Sequence, residues 1–140
     1  MRALPEAGKQ ELTPEAFVRL AADVARDKKG EDILLLDLRA FPVLCDFFLI
    51  VSGRSELHVR AIADAIAKET VRRQAARPWH VEGLPHGRWV LLDYVDWVVH
   101  VFHVETRDYY LLERLWADAP VERLSPPAEA EDDAEDDAAE

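Results

Sequence analysis

Two pairs of carboxylates are the residues of this chain best suited by type to bind a catalytic metal ion. Asp37 and Asp46 flank one predicted connection, and Asp93 and Asp96 flank a predicted turn. Nucleotidyl transfer uses two neighbouring carboxylates that hold a divalent cation. Neither pair has the alternating spacing that places two carboxylates on one strand face, and acidic residues commonly flank turns. The sequence therefore favours turn residues over a metal site, and we expect no catalytic residue, metal or cofactor.

A second candidate is the segment Ser52–Ser55, which lies where a predicted strand meets a predicted helix. Free backbone N–H groups at such a junction can bind an anion. The segment matches neither the Walker pattern of a phosphate-binding loop nor the pattern of a nucleophile elbow. Ser55 is explained more simply as a helix N-cap, so the structural interpretation is favoured.

Histidine and cysteine give little support for an enzyme. His100 and His103 are three residues apart in a predicted strand, so they point to opposite faces and cannot bind one metal ion together. Cys45 is the single cysteine, has no histidine at a motif spacing, and cannot form an internal disulfide. We expect Cys45 to be a small packed residue.

Several aromatic residues exceed what a small core needs. Trp89 shares a strand face with Leu91 and Asp93, which is the face we expect to meet solvent. In the final helix, Tyr110 is turned by about 100° from Tyr109. Exposed Trp and Tyr often anchor protein interfaces, but the same residues also cover the edges of cores. The pattern leaves both interpretations open.

Charge is distributed very unevenly along the 140 residues. The formal net charge is −11, yet residues 126–140 carry eight acids and no Lys or Arg, which leaves 20 acids and 17 bases in residues 1–125. This balance argues against binding nucleic acid by bulk charge. No apolar run is long enough to span a membrane, and the first residues lack the apolar core of a secretion signal. We therefore expect a soluble cytoplasmic protein without a membrane partner.

Hydrophobic periodicity predicts the element order α-β-β-α-β-β-β-α. The predicted helices cover about 14–29, 56–74 and 107–117, the last capped by Thr106. The predicted strands cover 32–38, 47–51, 79–82, 88–94 and 97–104. This order predicts an α/β (α+β) fold, a mixed β-sheet of four to five strands flanked by helices. We expect a lead-in at 1–12, one domain at 13–119 and a disordered Pro/acidic tail at 120–140.

Six motifs in register resemble the ribosomal silencing factor (Iojap-like) family over about residues 13–119. They are Asp46–Ser55, Ala61–Asp64, Val81–Gly83, Trp89–Asp93, Asp96–Phe102 and Arg107–Trp116. The resemblance implies a nucleotidyltransferase-like fold without catalytic carboxylates. One departure concerns Val95, which stands in the hairpin turn where the family usually has Gly. If that position adopts a positive φ, we expect Val95 to be strained.

The same resemblance implies a function. Members bind the large ribosomal subunit through its fourteenth protein and block joining of the small subunit, which represses translation when nutrients are scarce. Trp89 and Tyr110 match contact positions of the family. We expect the partner-binding residues to be these two together with Arg107, Arg114 and Trp116, with the arginines, and Arg88 beside them, pairing with acids of the partner or with nearby ribosomal RNA.

Two other interpretations stay open from the sequence. The first is a divergent metal-dependent nucleotidyltransferase-like enzyme that uses Asp93 or Asp96. The second is a homodimer, which is compatible with ribosome binding because exposed hairpin and helix faces can also associate with a second copy. The acidic tail is interpreted as a solubilising segment, or as one that repels ribosomal RNA.

Overall fold

The computed structural model describes residues 13–41, 45–74, 76–110 and 119–125. The helices are α1 (Pro14–Asp27), α2 (Glu56–Gln74) and α3 (Val104–Tyr110). The strands are β1 (Glu31–Asp37), β2 (Phe47–Gly53), β3 (His80–Glu82), β4 (Trp89–Asp93), β5 (Trp97–His103) and β6 (Val121–Arg123). Among the described residues, no helix is long and apolar enough to cross a membrane.

Helix α1 begins as its sequence predicts. The Thr13 hydroxyl accepts a hydrogen bond from the Ala16 N–H at 3.2 Å, and Pro14 occupies the first helical position. The helix ends at Asp27, two residues earlier than predicted, because Lys29 turns to a positive φ of 68° before Gly30. A residue in this left-handed conformation is a common way to end a helix.

The sheet has six strands in the order β3-β4-β5-β2-β1-β6. Its two central strands, β2 and β5, pair in parallel, with Phe47 opposite Trp97 and Val51 opposite Val101. Every other neighbouring pair is antiparallel, including the predicted hairpin of β4 and β5. The mixed α+β prediction is confirmed, whereas the prediction of four to five strands is wrong.

The unpredicted strand is β6, which lies in the segment assigned to the disordered tail. It pairs with β1, with Val121 opposite Leu36 and Arg123 opposite Leu34. The Ile33 N–H also donates to the Ser125 hydroxyl at 2.7 Å. Because a three-residue strand has no periodicity to detect and is held by residues far away in sequence, the local pattern did not reveal it. Residues 126–140, the rest of the predicted tail, lie outside the described residues.

Helices α1 and α2 cover one face of the sheet, called here the first face. Trp97 is 3% exposed and stacks on Tyr94, with ring centroids 3.8 Å apart and planes at 4°. Phe17 of α1 stacks on the same indole at 6.0 Å. The Tyr94 hydroxyl is 2.9 Å from the Thr70 hydroxyl of α2, so one aromatic stack joins both helices to the sheet. Trp97 therefore serves the core.

The opposite face of the sheet, called here the second face, carries a separate apolar cluster. Its buried members are Leu34, Leu36, Leu38, Ile50, Phe102 and Ala119. Helix α3 lies over this face, starting three residues earlier than predicted, so Thr106 is inside the helix and is not its N-cap. The predicted end of this helix, at 117, lies outside the described residues.

The turn between β4 and β5 contains a strained residue. Val95 has a φ of 77° and is 56% exposed. Its N–H donates to the Asp93 carboxylate at 2.8 Å, and the Asp96 N–H donates to the Tyr94 carbonyl at 2.9 Å. These bonds hold a β-branched residue in the left-handed region, where a Cβ meets the following carbonyl. The expected strain at Val95 is confirmed.

Replacing Val95 by glycine should therefore stabilise the protein. Relief of the left-handed strain outweighs the entropy cost of glycine, so we expect Val95→Gly to raise the free energy of unfolding by about 1 kcal/mol. Urea unfolding measures this change. The control is Val121→Gly on the exposed edge strand, which should lower stability. Equal decreases in the free energy of unfolding of both variants would contradict this expectation.

Candidate functional site

Trp89 lies on the second face of the sheet, at the start of β4. In this strand Trp89, Leu91 and Asp93 are half-buried, whereas Val90 and Leu92 are fully buried against the first-face core. The predicted alternation of strand β4 is thus confirmed, and it places Trp89 on the side of the sheet away from α1 and α2.

The Trp89 indole is held in one orientation by its neighbours. Its Nε1–H donates to Nδ1 of His100 at 3.1 Å, and its ring stacks on Phe102 with centroids 4.9 Å apart. Phe48 contacts the His100 ring edge-on, with centroids 4.6 Å apart. These four side chains, Trp89, His100, Phe102 and Phe48, are called the aromatic cluster. A fixed aromatic side chain loses little entropy when a partner binds it.

His100 is the functional residue that sequence reasoning missed. It was interpreted as an ordinary strand residue, yet it is only 4% exposed. Burial lowers its pKa to about 4, so the imidazole is neutral near pH 7. Because Nδ1 accepts the indole N–H, the proton must reside on Nε2, which is buried and has no hydrogen-bond partner among the described residues. The hairpin register could have indicated this contact. Leu91 lies directly opposite His100, so Trp89, two residues before Leu91 on the same face, is the diagonal neighbour of His100.

Arg107 does not face a partner, and that prediction is corrected. Its side chain is 4% exposed, and Nη1 donates to the Asp32 carbonyl at 2.6 Å and to the Ser52 hydroxyl at 2.8 Å. Nη2 lies 3.8 Å from the Asp32 carboxylate. Asp32 has a positive φ of 51° at a bulge in β1, which turns its carbonyl toward the guanidinium. Arg107 therefore fixes helix α3 on the second face.

The other predicted partner-binding residues are described only in part. Tyr110 is the last residue of α3, and its side chain lies outside the description, as do Arg114 and Trp116. Arg88, next to Trp89, is exposed, and its Nε lies 3.3 Å from the Glu56 carboxylate. This ion pair places the Arg88 guanidinium on the α2 side of the sheet, opposite the aromatic cluster.

The candidate carboxylate pairs are engaged in local structure. Asp37 binds Arg39 at 2.6 Å, and this contact holds the pKa of Asp37 below its usual range. Asp93 accepts the Val95 N–H, as expected of a turn-flanking acid. Among residues 13–41, 45–74, 76–110 and 119–125, no group of three or more His, Cys, Asp or Glu side chains is placed to hold a metal ion.

The Ser52–Ser55 segment has a structural role. The Ser55 hydroxyl accepts the His58 N–H at 3.0 Å, which confirms the N-cap interpretation for α2. Gly53 allows the close approach of strand and helix, because a Cβ there would lie 2.9 Å from Cγ2 of Val59. Cys45 is half-buried as expected, and burial raises the pKa of its thiol to about 11, so it is a poor nucleophile.

Comparison with known proteins gives consistent matches. The family model described as ribosomal silencing factor during starvation matches residues 11–140. A ribosomal silencing factor RsfS from Bacillus subtilis is 42% identical over 113 residues, which cover 81% of this chain and 95% of that protein. A crystal structure of a Bacillus halodurans protein matches with a TM-score of 0.67 and 40% identity, covering 79% of this chain and 99% of that one. A Chromobacterium violaceum crystal structure matches with a TM-score of 0.71 and 31% identity, covering 81% and 94%.

The buried neutral imidazole of His100 should make stability depend on pH. Between about pH 6.5 and pH 4 the unfolded chain binds a proton at His100 that the folded chain does not, so stability falls as pH decreases through this window. The contribution that is lost is roughly 3 kcal/mol by pH 4. His100→Gln keeps an acceptor for the indole and cannot titrate. Urea unfolding across this window should therefore give a flatter profile for the variant, and parallel profiles would contradict the assignment.

Proposed function

The chain belongs to the ribosomal silencing factor family, as its motifs predicted, and on this premise we propose that it silences ribosomes by binding the large subunit. The proposed contact is the fourteenth protein of that subunit. A bound domain then occupies space that the small subunit needs, which blocks joining and represses translation under nutrient limitation. The proposed site of action is the cytoplasm.

The observation that carries this proposal is the half-buried Trp89 on the second face. Its indole is fixed by the hydrogen bond to His100 and by stacking on Phe102. Buried aromatic anchors contribute most of the binding energy at many protein interfaces, and a fixed ring needs no further ordering on contact. Half-buried Leu91 and Phe48 extend the apolar area around it.

Electrostatic contacts are proposed at the edge of this surface. Arg88 precedes Trp89 in the chain and pairs with Glu56 of α2. This ion pair is exposed, so Arg88 exchanges it readily for an acid of the partner or for a ribosomal RNA phosphate. Arg107 contributes indirectly, because it anchors the helix whose last residue is Tyr110. Tyr110, Arg114 and Trp116 stay proposed contacts that no described side chain tests.

We infer that the protein acts by binding and not by catalysis. One carboxylate of each candidate pair is engaged in local structure, Asp37 with Arg39 and Asp93 with the turn at Val95. The nucleotidyltransferase-like origin of the fold stays a prediction, and so does a homodimer. A melting assay with nucleotide and a divalent cation distinguishes the enzyme hypothesis from the binding hypothesis, because a nucleotidyltransferase would be stabilised by both ligands together.

Loss of the aromatic anchors should weaken binding to the large subunit. A buried Trp at an interface is worth about 2 kcal/mol or more, so we expect Trp89→Ala to reduce affinity at least roughly 30-fold and Tyr110→Ala to reduce it in the same direction. Co-sedimentation with isolated large subunits measures this. Trp79→Ala is the matched control, because Trp79 is 73% exposed in the loop before the edge strand β3. Thermal melting of each variant separates lost binding from lost folding. Unchanged affinity in folded Trp89→Ala would refute the site.

The inhibitory step is tested by subunit joining. Sucrose-gradient sedimentation of separated subunits at joining Mg²⁺ should show loss of the joined particle when the protein is added. The protein should migrate with the large subunit, because steric exclusion requires it to stay bound there. Intact joining with the protein bound to the large subunit would contradict steric exclusion, and protein left at the top would contradict binding itself.

A further inference from the structure

A groove with basic rims lies at the edge of the sheet, on the face opposite the aromatic cluster. It is formed by the last part of α2, the loop after it and β3, and it encloses about 500 Å³. Its floor includes Val71, Pro78 and Val81, and its rims carry Lys68, Arg72 and Arg77. We call it the basic groove. Because Val81 lies opposite the first-face residue Leu92, the groove opens on the side of the sheet that α1 and α2 cover.

The strand that borders the basic groove is poorly protected. All three residues of β3 are exposed, and β3 is the outermost strand, with β4 as its neighbour in the sheet. Val81 is 37% exposed, and Trp79 just before it is 73% exposed. An exposed edge strand of this kind favours contact with another peptide segment.

The cations of the groove are available for new partners. Lys68 lies 3.1 Å from Asp64 and Arg72 lies 2.9 Å from Glu69, but the side chains of both cations are largely exposed. Exposed ion pairs of this kind contribute little and exchange readily. Arg77 is exposed and has no ion pair among the described residues. An acidic peptide with small apolar side chains therefore matches both the positive charge of the rims and the apolar floor of the groove.

The chain carries a segment of that composition. Residues 126–140 consist of eight acids, five alanines and two prolines, with no Lys or Arg. The acids complement the cationic rims, and the small alanine side chains suit a shallow apolar floor. This segment also holds most of the net negative charge of a chain whose remaining residues are nearly balanced.

The start of this segment lies on the correct side of the molecule and within reach. Leu124 packs against the first-face core, and the Arg26 guanidinium of α1 donates to its carbonyl at 2.7 Å. From β6 to β3 there are five strand spacings, or about 24 Å. Fifteen extended residues span up to about 50 Å, so the acids can reach the groove.

We propose that the acidic tail, residues 126–140, docks in the basic groove of its own chain. Tethering holds the tail at an effective concentration on the order of millimolar, so even weak ion pairs keep it bound. The docked tail covers the edge of β3 and occupies the cations that a polyanion such as RNA would otherwise contact. This proposal goes beyond ribosome binding and does not depend on it.

Paramagnetic relaxation in the full-length chain tests the docking. A nitroxide is attached at Ala138→Cys in a Cys45→Ser background, and amide signals are compared before and after reduction of the label. We expect amides of residues 67–72 and 77–82 to lose most of their intensity at low salt and to recover it at high salt, where charges are screened. Arg72→Glu with Arg77→Glu should abolish the effect. Lys28→Glu with Lys29→Glu, equally exposed but outside the groove, should preserve it.

Each alternative occupant gives a distinct result that overturns the proposal. Groove amides that keep full intensity at low salt would show that the tail does not dock. Intensity loss in isotope-labelled chains that lack the nitroxide, when they are mixed with chains that carry it, would assign the groove to the tail of a second copy. Groove signals that respond to added single-stranded RNA but not to the nitroxide would assign it to nucleic acid.

Discussion

The central constraint of this fold is that β2 and β5, its parallel inner strands, are apolar on both sides. Leu49 and Val99 point to the first face, while Ile50 and Phe102 point to the second, and all four are fully buried. Such strands need cover on both faces. Helices α1 and α2 provide it on the first face, while the connection between β1 and β2 and helix α3 pack on the second face.

This constraint explains why the candidate surface lies on the second face. Helix α3 follows β5 directly, and Arg107 fastens it to the bulge at Asp32 and to Ser52. Trp89 and Phe48 stay half-buried on this face. A partly exposed aromatic surface is a typical place for protein contacts. Stability and the proposed partner binding thus draw on the same aromatic cluster.

Much of the molecule could be predicted from local patterns. Helix α2 runs from Glu56 to Gln74 as predicted, because its capping serine and its periodicity are local signals. The strain at Val95 was foreseen from the family resemblance, because the family usually has glycine at this position of the turn. Arg107 was misjudged for the opposite reason: an arginine on a helix resembles a surface residue until its distant acceptors, at Asp32 and Ser52, are known.

The sequence by itself determined the two helices of the first face, the hairpin, the acidic tail and the family. These depend on periodicity, capping, composition and motifs, which are properties of neighbouring residues. Only the tertiary structure decided that β6 joins the sheet, that His100 orients Trp89, and that a basic groove forms beside β3. Each of these depends on how strands and helices pack together, and the burial that turns a histidine into a neutral acceptor exists only after the strands have assembled.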